Sequence, residues 1–129
     1  MKKIKTFENF IPPYGSNVEP INIILDVSGS ISYQDIKTAI YNISKISDSD
    51  NITLIKVSDQ VESVEEISNL EDILDIQNHK VKSGGSDLQP AIDYIVDNDL
   101  KHNKTFIISD FISREPDYSE LEDYEEIYI

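Results

Sequence analysis

The apolar positions of this chain alternate between short unbroken runs and helically spaced stripes. Ile21-Asn22-Ile23-Ile24-Leu25 is too short for an ordinary helix and rich in β-branched residues, which predicts a strand buried on both faces and ending on Asp26. Ser32 with Asp35 gives a helix start, and Ile36, Ala39, Ile40, Ile43 and Ile46 recur at helical spacing, so a helix is expected over about 32–47. The polar cluster Asp48 to Asn51 ends it. Ile52 to Val57 reads as a second strand, Ser58-Asp59-Gln60 as a tight turn, and Val61 to Val64 or a little beyond as a third strand at an acidic sheet edge. Leu70 to Gln77 has too few apolar positions to fix a period and is read as weakly helical.

Further on, Ser83-Gly84-Gly85-Ser86-Asp87 forms a loop whose glycines open backbone angles closed to other residues. Leu88, Ile92, Ile95 and Val96 then mark a helix to about Asn98, with Pro90 in its first turn where a missing N–H does no harm. Thr105-Phe106-Ile107-Ile108-Ser109-Asp110 repeats the opening device, an apolar run ending on a carboxylate. An acidic connection over 116–124, with room for a helical turn, leads to a last strand over 126–129. Residues 1–20, carrying Pro12, Pro13, Gly15 and Pro20, are expected to be an irregular lead-in to one domain over 21–129.

This alternation predicts an α/β three-layer sandwich with a mostly parallel central sheet flanked by helices. Right-handed crossovers place the first strand in the middle, the hairpin on one side and the strand ending in Asp110 on the other. Ligands of such sheets sit beyond the carboxyl ends of the strands where the strand order reverses. Asp26 and Asp110 both belong on that rim.

Composition narrows the partners. The 129 residues suit one core, and 39% hydrophobic content is that of a soluble globular domain. No apolar run approaches the roughly 20 residues needed to cross a bilayer. The basic start Met1-Lys2-Lys3-Ile4-Lys5 lacks the apolar core of a secretory signal. The chain has no cysteine, which removes disulfides and thiolate zinc sites and fits a reducing compartment, so the cytoplasm is expected. A formal charge of −14 argues against nucleic acid and against an anionic membrane surface as partners. It serves solubility, and it also attracts divalent cations and basic partners. Heavy use of Ile, Asn, Lys and Asp hints at an AT-rich genome, bacterial or phage.

Two carboxylates with several hydroxyls, and neither sulfur nor a nearby imidazole, make a hard-oxygen set. Such ligands suit Mg²⁺, with Mn²⁺ or Ca²⁺ as alternatives, and suit zinc or copper poorly. Asp26 and Asp110 balance the two charges of the ion; Ser28 and Ser30 fold back beneath it, Gly29 letting the backbone pass closely, and Ser86 approaches from the glycine loop. If all five take part, directly or through water, one coordination place stays open for an incoming carboxylate.

Asp26-Val27-Ser28-Gly29-Ser30 resembles the Asp-x-Ser-x-Ser signature of von Willebrand factor A domains, whose metal-ion-dependent adhesion site adds a Thr from a second loop and an Asp from a third. Ser86 stands where that Thr is expected, and Asp110 in Ser109-Asp110-Phe111 where the family usually reads Thr-Asp-Gly. Residues 21–129 are most similar to the compact A-like domain of a family of predicted bacterial metallopeptidases. That resemblance implies direct metal contacts from Ser28, Ser30 and Ser86, with Asp26 and Asp110 holding the ion directly or through water. It also implies a protein partner, an AAA ATPase or a metallopeptidase-like chain. Serine at 86 and phenylalanine at 111 depart from the family pattern. No peptidase part is expected in this sequence, since His79 and His102 are its only histidines and no H-E-x-x-H occurs.

The leading expectation is therefore a non-catalytic module that captures an acidic group of a protein partner through a bound Mg²⁺-type ion. One alternative is a Mg²⁺-dependent hydrolase or phosphoryl-transfer enzyme at the same rim. Another is a degenerate scaffold that binds no metal. Plainer roles stand beside these: Ser28 and Ser30 as helix-capping hydroxyls, Ser86 and Asp87 as the cap and first-turn acid of the next helix, and Asp59 as a turn residue. His79 and His102 read as surface residues.

Overall fold

The computed structural model describes residues 19–29, 31–75, 85–112 and 114–129. Strand β1 (Ile21–Asp26) leads into helix α1 (Tyr33–Ser44), then β2 (Ile52–Val57), β3 (Val61–Ile67), a 3-10 segment (Leu70–Leu74), α2 (Gln89–Asp97), β4 (Lys104–Ser109) and β5 (Tyr124–Tyr128). One five-stranded sheet results, in the order β3-β2-β1-β4-β5. β1 runs parallel to both β2 and β4, β4 is parallel to β5, and only the β2–β3 hairpin is antiparallel.

Alternation of side chains across the sheet builds two cores. Ile23 and Leu25 of β1, Leu54 of β2, and Phe106 and Ile108 of β4 pack with Ile36, Ala39 and Ile43 of α1. On the opposite face Ile24, Ile55 and Ile107 meet Leu88 and Ala91, Ile92 and Ile95 of α2. The fold is thus the expected α/β sandwich, a mostly parallel sheet between helices. All six residues of β1 are buried, as are all six of β2. Each fully buried aliphatic chain adds about 1.5–3 kcal/mol to the drive for folding. Among the described residues no helix is long and apolar enough to cross a membrane.

Local chemistry explains where elements start and stop. Ser32 caps α1, its Oγ accepting from the Asp35 backbone N–H at 3.0 Å. The helix ends at Ser44, earlier than the apolar stripe suggested. The Ser44 hydroxyl donates to Tyr41 O at 2.7 Å, the Ile43 carbonyl accepts from both Ile46 N and Ser47 N at 2.9 Å, and Ile46 lies half-exposed outside the stripe. At α2, Asp87 Oδ1 accepts from Gln89 N at 3.0 Å and Pro90 falls in the first turn.

Three further expectations shift. The region read as weakly helical has its 3-10 turns over Leu70–Leu74, while 76–77 lie outside the described residues. The acidic connection before β5 holds a turn, Leu121 N donating to Tyr118 O at 2.9 Å, and no helix. β5 begins at Tyr124, opposite Thr105, two residues ahead of the expected start, because β4 offers it a parallel edge from there on. The lead-in up to 18 and the glycine-loop residues Ser83 and Gly84 lie outside the described residues.

Candidate functional site

β1 delivers Asp26 to the carboxyl rim of the sheet, between β2 and β4. The residue is buried, with 5% of its surface exposed. A carboxylate so placed has to be hydrogen-bonded on both oxygens or it costs several kcal/mol. Three separate chain segments meet this need. Oδ1 accepts from the Ser28 backbone N–H at 3.0 Å and from the Ser28 hydroxyl at 2.5 Å. Oδ2 accepts from the Ser86 hydroxyl at 3.2 Å and from the Ser109 hydroxyl at 2.7 Å. The loop after β1, the loop before α2 and the end of β4 therefore converge on one side chain.

Ser109 was not singled out as a site residue by its sequence. It is fully buried, and its Oγ also accepts from Phe111 N at 3.0 Å, so it ties the loop after β4 to Asp26. The available signal was its position: a hydroxyl one residue before a rim carboxylate, at the end of a strand paired directly with β1. Of the other expected residues, Ser28 and Ser86 are in the cluster. Ser30 lies outside the described residues. Asp110 is exposed, its Oδ1 accepts from Ile112 N at 3.2 Å, and among the described residues it shares no hydrogen bond with the Asp26 cluster.

The glycines work differently from the sequence expectation. A Cβ on Gly29 would meet nothing within 4 Å, so no close passage of the backbone requires it. At Gly85 a Cβ would stand 2.9 Å from Asp59 Cβ and 3.0 Å from Asp59 Oδ2. Neither glycine has positive φ. Gly85 is thus needed for space: the β2–β3 turn presses on the loop that carries Ser86. That contact is reinforced by Asp87 N, which donates to Ser58 O at 2.7 Å, while the buried Ser58 hydroxyl bonds to Glu62. Asp59 accordingly packs on the second loop as well as turning its hairpin.

Phe111 has φ 56°, in the left-handed region that glycine enters freely and other residues rarely do. Two contacts hold it there, the N–H bond to Ser109 Oγ and its ring against Tyr128 at 4.4 Å between centroids.

Away from the rim, Lys56 alternates onto the face of Leu54, opposite Asp26, and pairs with Glu65 at 2.6 Å. His102 is exposed and pairs with Glu122; His79 lies outside the described residues. Among the described residues no three carboxylate or imidazole side chains gather as a metal-holding group, so an ion at Asp26 would depend on hydroxyl oxygens. No protein-family model and no curated protein matches the chain.

Proposed function

We propose that this protein is a von Willebrand factor A-like binding module that holds a Mg²⁺-type ion beside Asp26 and uses it to capture an acidic group of a protein partner. The observation that carries the reading is the convergence of the Ser28 and Ser86 hydroxyls, from two loops, on one buried carboxylate at the switch point of the sheet. A hydroxyl that gives its hydrogen to Asp26 keeps its lone pairs for something else. Ser28 and Ser86 are partly exposed, so those lone pairs are accessible to a hard cation. Ser109, by contrast, is fully buried and already gives one lone pair to Phe111 N. The left-handed backbone at Phe111 adds support, because it falls where the A-domain pattern has glycine.

In this reading Ser28, Ser30 and Ser86 hold the ion, with Asp26 and Asp110 balancing its charge directly or through water; Mn²⁺ or Ca²⁺ could replace Mg²⁺. The ion would supply a Lewis-acidic place for a carboxylate of the partner, which the resemblance makes an AAA ATPase or a metallopeptidase-like chain. The place of action is the cytoplasm, supported by the cysteine-free composition. Mg²⁺-dependent hydrolysis draws less support, since the lysine of β2 faces away from Asp26 and is paired with Glu65.

One observation favours a second reading, a scaffold that no longer binds metal. Asp26 already accepts four hydrogen bonds, and Asp110 serves its own loop. Thermal melting with and without millimolar Mg²⁺ separates the two. The binding module predicts a rise in Tm with Mg²⁺ that disappears in Asp26→Ala and shrinks in the milder Ser86→Ala. An identical melt at saturating Mg²⁺, Mn²⁺ and Ca²⁺ selects the scaffold.

A further inference from the structure

A second concavity lies beside the rim, where the loop after β4 crosses between the start of α2 and the end of β5. Its volume is about 150 Å³, roughly the room that admits one benzene ring. Buried Leu88 and Tyr118 line it together with Phe111 and the exposed Tyr128, and Arg114, Glu115 and Glu126 are its charged lining. Tyr118 donates its hydroxyl hydrogen to Glu126 at 2.9 Å. Burial, and then that bond, push the phenol well above its usual range, so Tyr118 stays a donor and Glu126 stays engaged.

Arg114 is the single arginine of a chain with formal charge −14. The ion pairs among the described residues belong to Lys56, His102 and Lys104. Arg114 is exposed and forms none, although Glu115 and Glu126 share the pocket with it. A guanidinium offers a planar fork of donors suited to a carboxylate. The surrounding negative charge repels an acidic ligand and attracts a basic one.

We propose that this pocket receives the C-terminal residue of a partner protein: an aromatic or branched apolar side chain fills the cavity, the free α-carboxylate pairs with Arg114, and basic residues upstream meet the acidic surface. An internal acidic residue would supply the carboxylate but would bring it on a side chain, leaving nothing of its own to lie against the aromatic rings that line the cavity. A terminal Phe or Leu supplies both groups from one residue. The inference does not rest on the ion at Asp26: of the pocket's named residues only Phe111 touches that cluster, through its backbone N–H on Ser109 Oγ.

The test is fluorescence anisotropy with a labelled peptide Lys-Lys-Ser-Gly-Ser-Phe bearing a free C-terminus, its C-terminal amide, and the same peptide ending in Gly. The free acid is expected to bind about ten-fold or more tightly than the amide, as one charge-assisted hydrogen-bonded pair accounts for. The Gly-ended peptide loses a similar factor. In Arg114→Gln, a change at an exposed side chain, the acid-to-amide ratio falls to near one, and EDTA leaves wild-type binding unchanged. Equal affinity for acid and amide, a ratio preserved in Arg114→Gln, or no binding up to millimolar peptide would each overturn the proposal. Binding abolished by EDTA would also overturn it, by moving the peptide onto a metal site.

Discussion

Asn22 and Asp26 stand four residues apart on β1, on the same face of the sheet, and both are buried. Asn22 lies at the amino rim, where its Nδ2 donates to Leu100 O at 2.9 Å and to Thr105 Oγ1 at 3.1 Å. Its partners are a backbone carbonyl and a strand residue whose own backbone is paired with β1 and β5. Asp26 is held at the other rim by hydroxyls, two of them on loops and partly exposed. A serine hydroxyl on a loop rotates at little cost; the Leu100 backbone carbonyl does not, and the buried Thr105 hydroxyl is itself engaged with Asn103 O at 3.4 Å. Two buried polar residues of one strand thus do different work: Asn22 clasps the α2–β4 connection to the sheet, and Asp26 gathers hydroxyls from two loops and the end of β4.

Exchanging the two identities gives the largest expected effect. In Asn22→Asp a buried carboxylate would face the Leu100 carbonyl in place of the amide donor, and we expect a loss of about 3–5 kcal/mol, as for an uncompensated buried charge. In Asp26→Asn the neighbouring hydroxyls reorient around the new amide, and we expect about 1–2 kcal/mol. Urea denaturation of both variants checks the ranking. Equal losses would mean that the Asp26 hydroxyls are as fixed as the partners of Asn22.

Part of this contrast was legible in the sequence. The strands, their order and the rim position of Asp26 follow from apolar runs and helical stripes, because β1 and β2 are buried on both faces and tolerate few polar residues. Ser28 and Ser86 were legible from their spacing around glycines. Ser109 was not singled out, because a serine ending a buried strand looks the same whether it faces a carboxylate or a carbonyl. The glycine roles were assigned to the wrong property: which loop presses on Gly85 depends on how the β2–β3 hairpin folds over it, a tertiary contact with Asp59 that local pattern does not encode. Asp110 was expected to converge with Asp26 from motif order, yet its carboxylate bonds to Ile112 N two residues on, as Asp side chains opening a loop commonly do.

The smallest expected effect is the most discriminating. Ser109→Ala removes a buried hydroxyl that serves both Asp26 Oδ2 and Phe111 N, leaving an acceptor and a donor short, and we expect about 1 kcal/mol. Ser28→Ala removes a hydroxyl from Oδ1, but the Ser28 backbone N–H still reaches that oxygen at 3.0 Å and water can replace the partly exposed group. Its cost should therefore be a few tenths of a kcal/mol. The metal response should run the other way. If Ser28 offers its lone pairs to an ion, the Mg²⁺-induced rise in Tm nearly vanishes in Ser28→Ala, whereas Ser109→Ala retains most of it. A Ser28→Ala protein that melts as low as Ser109→Ala, with Mg²⁺ without effect on the wild type, would make the carboxyl rim a second clasp like the one at Asn22.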